Sequence, residues 1–256
     1  MCHPEVPPGT VAPTVRVEEV RIDVGGGAFM PATLAFPEAK GPAPAVIVLT
    51  DMYGRAPFYD NLTRRLAQAG FLALLPECFF REGPIDPPGF ANAMARRAKL
   101  DGRRSIVDLG LALDWLAARP DCTGKLGTLG FCAGGTFVLN LSAVRAPLAS
   151  VAYYAFPLGN GTREQEPPRP LDIAHDLRGP ILAFWGDQDD ACGMDSVRQL
   201  RSSLQAASVK FEFQLYPGLA HGFLKQFLED PEESGYEQAC DAWTRTIAFF
   251  RKRLAS

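Results

Sequence analysis

The stretch GTLGFCAGGT, residues 127–136, decides how the rest of the chain is read. An apolar run ends in G-x-C-x-G-G, which stands Cys132 at the apex of a glycine-rich turn. Where such a turn joins a strand to a helix, the apex side chain is held off the end of the sheet. A thiol there sits near a helix N-terminus, whose dipole and free amides favour the thiolate. The amide of Ala133 would then face a developing oxyanion. The competing reading is a small buried cysteine, a common fate of a free thiol. The turn alone leaves the two readings about even.

Outward from the turn, short apolar runs alternate with segments of helical period, the pattern of a mostly parallel sheet flanked by helices. Residues 14–25 alternate apolar and polar side chains and read as an antiparallel opening strand. Gly25, Gly26 and Gly27 turn it into a second strand from Phe29. Ala45 to Thr50 is a continuous apolar run, as a buried central strand requires. Further strands are expected at 71–76, 125–130, 150–155, 180–185 and 210–216. Helices are expected at 57–69, 100–118, 136–143, 195–207 and 236–253. Two segments, 82–98 and 156–176, read as loops walling one end of the sheet. A chain of 256 residues can bury a full core, and it is expected to form one α/β domain over 1–256, with 1–13 a flexible N-terminal segment.

Composition narrows the function classes. A net charge of −3 provides no electrostatic footprint for nucleic acid or an anionic membrane. No run approaches the roughly eighteen apolar residues of a membrane span. The N-terminal residues show no secretory signal, so a cytoplasmic location is expected. Six widely spread cysteines then read as free thiols. The three histidines, His3, His175 and His221, do not stand at metal-ligand spacing, and no metal is expected.

Chain order is the next test. In hydrolases built on a nucleophile elbow, an acid and a histidine follow the nucleophile, each after a later strand. Here GDQDD (186–190) follows one expected strand and PGLAHGF (217–223) the next, which makes His221 the candidate base. Asp187, Asp189 and Asp190 compete for the acid. Asp189 is favoured, since two residues of turn after Gly186 return its carboxylate toward the sheet. Asp187 would cap the turn, and Asp190 would lie in solvent.

Taken together, GFCAGG (130–135), WGDQD (185–189) and AHGF (220–223) resemble the dienelactone hydrolase family of α/β-hydrolases over nearly the whole chain. The segments TDMYG (50–54) and LPECFFREG (75–83) also match. The resemblance implies the α/β-hydrolase fold and a Cys132–Asp189–His221 triad. It also implies an acidic residue at Asp51 that helps activate the thiol, and oxyanion donors in the amides of Met52 and Ala133. A substrate carboxylate would be bound by Arg81 and by the residue four positions after the histidine, here Lys225. The chain departs from the family pattern in three places: Asp51 replaces glutamate, Lys225 replaces arginine, and Cys78 replaces aspartate. Lysine pairs with a carboxylate without a planar two-pronged fork. Tyr53 and Tyr154 are candidate pocket walls.

The expected activity is hydrolysis of an ester or lactone, dienelactone-like and carried by a carboxylate-bearing small molecule, through an acyl-enzyme and without a cofactor. The expected state is a monomer or small homo-oligomer. An amidotransferase-type elbow is disfavoured because His221 is followed by Gly222 and Phe223, with no glutamate two residues on. The rival from another class is a non-catalytic small-ligand-binding protein that retains the same pocket.

Overall fold

The computed structural model describes residues 13–145, 148–228 and 230–254. Most of the expected flexible N-terminal segment, with Cys2 and His3, lies outside the described residues. The elements run β1 (Val17–Asp23), β2 (Phe29–Ala35), β3 (Ala43–Leu49), α1 (Pro57–Gln68), β4 (Leu72–Pro76), α2 (Phe90–Arg97), α3 (Gly102–Ala117) and β5 (Cys122–Phe131). They continue with α4 (Ala133–Val144), β6 (Leu148–Tyr153), β7 (Ile181–Gly186), α5 (Met194–Ala206), β8 (Phe211–Tyr216), α6 (Phe223–Phe227) and α7 (Tyr236–Leu254).

The eight strands form one sheet in the order β1-β2-β4-β3-β5-β6-β7-β8. β2 pairs antiparallel with both β1 and β4, and the other neighbours run parallel. This is the expected α/β-hydrolase architecture. β4 and β6 are buried at every position, as strands covered by helices on both faces must be. After β3 the chain crosses to β4 on one side, then returns to lay β5 on the other. The carboxyl ends of β3 and β5 therefore flank the point where winding reverses, which is where open α/β sheets bind ligands. Asp51 and Met52 follow β3, and Cys132 follows β5.

Two helices depart from expectation. The segment 82–98, read as loop, holds α2. Its prolines end at Pro88, and the FANAMARR that follows Gly89 is rich in Ala, Met and Arg, all good helix formers. α6 rises directly from the loop that carries His221.

Candidate active site

The elbow is made by close approach. A Cβ on Gly134 would lie 2.4 Å from the carbonyl oxygens of both Leu49 and Thr50, so α4 can meet the end of β3 only with glycine there. Helix α4 begins at Ala133, three residues earlier than its period suggests, which leaves Cys132 as its N-cap residue. Cys132 has φ 56° and ψ −120°, a region that side-chain-bearing residues rarely occupy. The surroundings hold it there: its N–H donates to Tyr153 O at 3.1 Å, and its carbonyl accepts from Thr136 N at 3.1 Å. The first amides of α4, Ala133 among them, have no acceptor within the helix.

The acid and histidine loops are joined by their backbones. Gln188 N–H donates to Leu219 O at 3.0 Å, and Gly218 N–H donates to the Asp187 carboxylate at 2.7 Å. A Cβ on Gly186 would fall 1.9 Å from Leu219 O, so this crossing also demands glycine. Through it Asp189, wholly buried, places its carboxylate oxygens 3.1 and 3.0 Å from His221 Nδ1. Asp187 is engaged in the turn and Asp190 is exposed.

Burial alone would lower the pKa of His221. The bond to Asp189 and the neighbouring Cys132 and Cys192 thiols more than offset that, and the imidazole is pushed up to about 12. Its Nε2 is buried with no other hydrogen-bond partner. Cys132 and His221 line one cavity of about 640 Å³, together with Asp51, Met52, Tyr154 and Lys225. That volume suits a small organic molecule.

The remaining expected residues are distributed unevenly. Lys225 Nζ lies 3.0 Å from Asp51 Oδ2, and 5.4 Å from the ring centres of both Tyr53 and Tyr59. Asp51 Oδ1 accepts the Tyr53 N–H at 2.8 Å, which shapes the turn that presents Met52. Tyr154 is buried, with φ 39°, and its ring meets His221 edge-on at 4.9 Å. Arg81 is not brought to the cavity. Its guanidinium donates to both carboxylate oxygens of Asp108, at 2.9 and 3.2 Å, and Asp108 also accepts from Arg104.

Four further residues belong to the site. Phe156 stacks on the His221 ring at 5.2 Å. Phe90 and Met94, on α2, line the cavity mouth. Cys192 Sγ lies 3.7 Å from His221 Nδ1 and donates to the carbonyls of Tyr154 and Ala155. The sequence signal for it was weak: a cysteine three residues past the acid. Asp189, Cys192 and His221 offer ligand atoms within 4.8 Å of one another. Burial pushes the Cys192 thiol up to about 12, so it stays protonated while Asp189 and Nδ1 bond each other.

The Dienelactone hydrolase family profile matches residues 30–254. The chain belongs to this family. A carboxymethylenebutenolidase of Rhodococcus opacus is 35% identical over 214 residues, covering 84% of this chain and 83% of its own. A Bradyrhizobium family relative, assigned as a 2-oxo-3-(5-oxofuran-2-ylidene)propanoate lactonase, is 30% identical and covers 94% and 96%. Among solved structures, a Klebsiella pneumoniae protein assigned as a dienelactone hydrolase superposes with TM-score 0.84 at 32% identity, covering 94% of this chain and all of that one. No helix of the described residues is long and apolar enough to cross a membrane.

Proposed function

We propose that this dienelactone hydrolase family member is an ester or lactone hydrolase that works through Cys132 as nucleophile, with His221 and Asp189 completing the triad. The observation that carries the reading is the strained Cys132 at the end of β5, opening on the same cavity as the Asp189-bound His221.

The thiolate sulfur attacks the acyl carbon, and the amides of Met52 and Ala133 stabilise the oxyanion. The C–O bond breaks, and the imidazolium of His221 protonates the departing alcohol or enol. His221, now neutral, takes a proton from water, which attacks the thioester. The C–S bond breaks, the acid leaves, and the thiolate is restored. The pairing with Asp189 favours the imidazolium as the proton donor to the leaving group. Asp51 is then the group available to receive the thiol proton, once it parts from Lys225. Thiolate is also a good leaving group, so activated esters such as enol lactones or aryl esters suit this site better than amides.

The test is an ester and lactone panel run with wild type and Cys132→Ala, with mass spectrometry for an acyl adduct on Cys132. Loss of hydrolysis and of the adduct in the variant is expected. Full activity in Cys132→Ala would overturn the assignment. If wild type has no activity, and iodoacetamide labels Cys132 no faster than the buried thiols, the non-catalytic binding protein is the correct reading.

A further inference from the structure

The turn that follows β3 is held from outside by Arg96, a residue of α2 that lies behind the cavity lining and outside the triad. Its Nη2 donates to Met52 O at 2.9 Å, across 44 positions of chain, and its Nη1 donates to Gly83 O at 3.2 Å. The guanidinium carbon lies 4.1 Å from the centre of the Phe79 ring. Arg96 is 8% exposed, and its Nε is buried with no hydrogen-bond partner. An unpaired buried N–H opposes folding. Arg96 tolerates it while directing its other two nitrogens at backbone carbonyls of two separate turns.

Asp51 to Gly54 form a tight turn. Gly54 N–H donates to Asp51 O at 3.0 Å, and Tyr53 N–H donates to Asp51 Oδ1 at 2.8 Å. The peptide between Asp51 and Met52 is planar, so a carbonyl pinned to Gly54 directs the Met52 N–H to the opposite side. That N–H is an oxyanion donor in the proposed mechanism. The next peptide, between Met52 and Tyr53, is gripped at both ends, by Arg96 on its carbonyl and by Asp51 on its N–H. The two grips differ. Asp51 changes partner when it takes the thiol proton, whereas Arg96 has no part in proton transfer. The Arg96 bond is thus the one that holds the turn throughout a turnover. Gly54 keeps the approach open: at its φ of 76°, a Cβ would lie 3.1 Å from Arg96 Nη2.

We propose that Arg96 is a positioning residue for the oxyanion site: it fixes the turn that presents the Met52 N–H and ties that turn to α2, whose Phe90 and Met94 line the cavity mouth. The inference rests on the Cys132 hydrolase reading and names what keeps one of its oxyanion donors in place. Such donors act only when aimed at the point where charge develops, within a tolerance of about 0.5 Å. A short surface turn with an exposed Tyr53 at its tip has little packing of its own to supply that precision.

The experiment compares two reactions of the same thiol in wild type and Arg96→Gln. Hydrolysis of 4-nitrophenyl butyrate passes through an oxyanion. Alkylation of Cys132 by iodoacetamide displaces iodide at a saturated carbon and forms none. Both need the thiolate, so alkylation reports any loss of thiol activation. Arg96→Gln should lower kcat/KM for the ester by about tenfold or more, mainly through kcat, with alkylation changed by less than about twofold. Arg96→Lys, with one ammonium in place of the fork, should recover part of the ester rate. Equal losses in both reactions, or no loss in either, overturn the inference. If Arg96→Gln does not fold by circular dichroism, Arg96→Lys decides: a loss of about threefold or more in the ester reaction alone supports the inference, and any other pattern overturns it. Should those overturning results come with an inactive Cys132→Ala, the hydrolase reading survives alone. If wild type cleaves no ester, both fall.

Discussion

Arg97, the last residue of α2, donates to both carboxylate oxygens of Glu166, at 2.9 and 3.0 Å, across 69 positions of chain. Both side chains are buried. The same guanidinium reaches Asn160 O at 2.9 Å, and Asn160 Nδ2 donates to Ala133 O at 3.2 Å, the first residue after the elbow. The helix that carries Phe90 and Met94 is thus tied to the turn that carries Cys132. Removing one partner of a buried pair leaves the other charge uncompensated. Glu166→Ala is therefore expected to lower the unfolding free energy by roughly 3–5 kcal/mol. It should also raise KM for bulky aryl esters more than it changes kcat. Urea titration and steady-state kinetics check both, and a loss below about 1 kcal/mol would refute the buried-pair account.

The strain at Cys132 separates stability from function. At φ 56° and ψ −120°, any residue with a Cβ carries a cost on the order of 1–3 kcal/mol, which glycine escapes. Cys132→Gly and Cys132→Ala should both be inactive. Cys132→Gly should be the more stable of the two by about 1 kcal/mol, after allowing for the entropy glycine gains in the unfolded chain. Equal denaturation midpoints would show that the elbow is unstrained.

His221 makes stability depend on pH. Its folded pKa, raised to about 12, lies above that of the unfolded chain. Its contribution is therefore fully present below the ordinary histidine pKa of about 6.5, and is lost as pH rises toward the folded value. Asp189→Asn removes the main group holding the proton, so burial should dominate and the pKa should fall. The gap in Tm between wild type and Asp189→Asn is expected to be widest at about pH 6 and to narrow by about pH 10. A gap that widens with pH would contradict the pairing.

The two cysteines near His221 should differ in reactivity. Cys132 opens on the cavity, while Cys192 is buried with its proton held and its Sγ donating to two carbonyls. Substoichiometric iodoacetamide at neutral pH should alkylate Cys132 in step with loss of activity. Peptide mapping should find Cys192 modified only after unfolding. Early labelling of Cys192 would mean that the site breathes far more than its packing implies.

Much of the site was legible because its signals are local. GFCAGG places a small apex residue between glycines, and periodicity shows a strand before it and a helix after it. The order of GDQDD and AHGF along the chain then singles out the remaining candidates. The choice of Asp189 among three aspartates could also be framed from turn length. The partners of Arg81 and Lys225 could not. A basic side chain in a sequence carries no mark of the carboxylate it will meet, and Asp108 and Asp51 lie 27 and 174 positions away. α2 was missed for a related reason. Eight residues are too few to declare a helix by period, and its anchor, Glu166, lies in the connection between β6 and β7, 69 positions beyond Arg97.

By itself, then, the sequence determined the alternation that builds the sheet, the glycines that allow the elbow, and the order of nucleophile, acid and histidine. Those properties follow from backbone sterics and short-range periodicity, which act on neighbours in the chain. Only the tertiary structure decided which charges were left for a substrate. Ion pairing is settled by distance and burial between remote segments. Here it closed Lys225 onto Asp51 and Arg81 onto Asp108, and left a cavity walled mainly by apolar side chains.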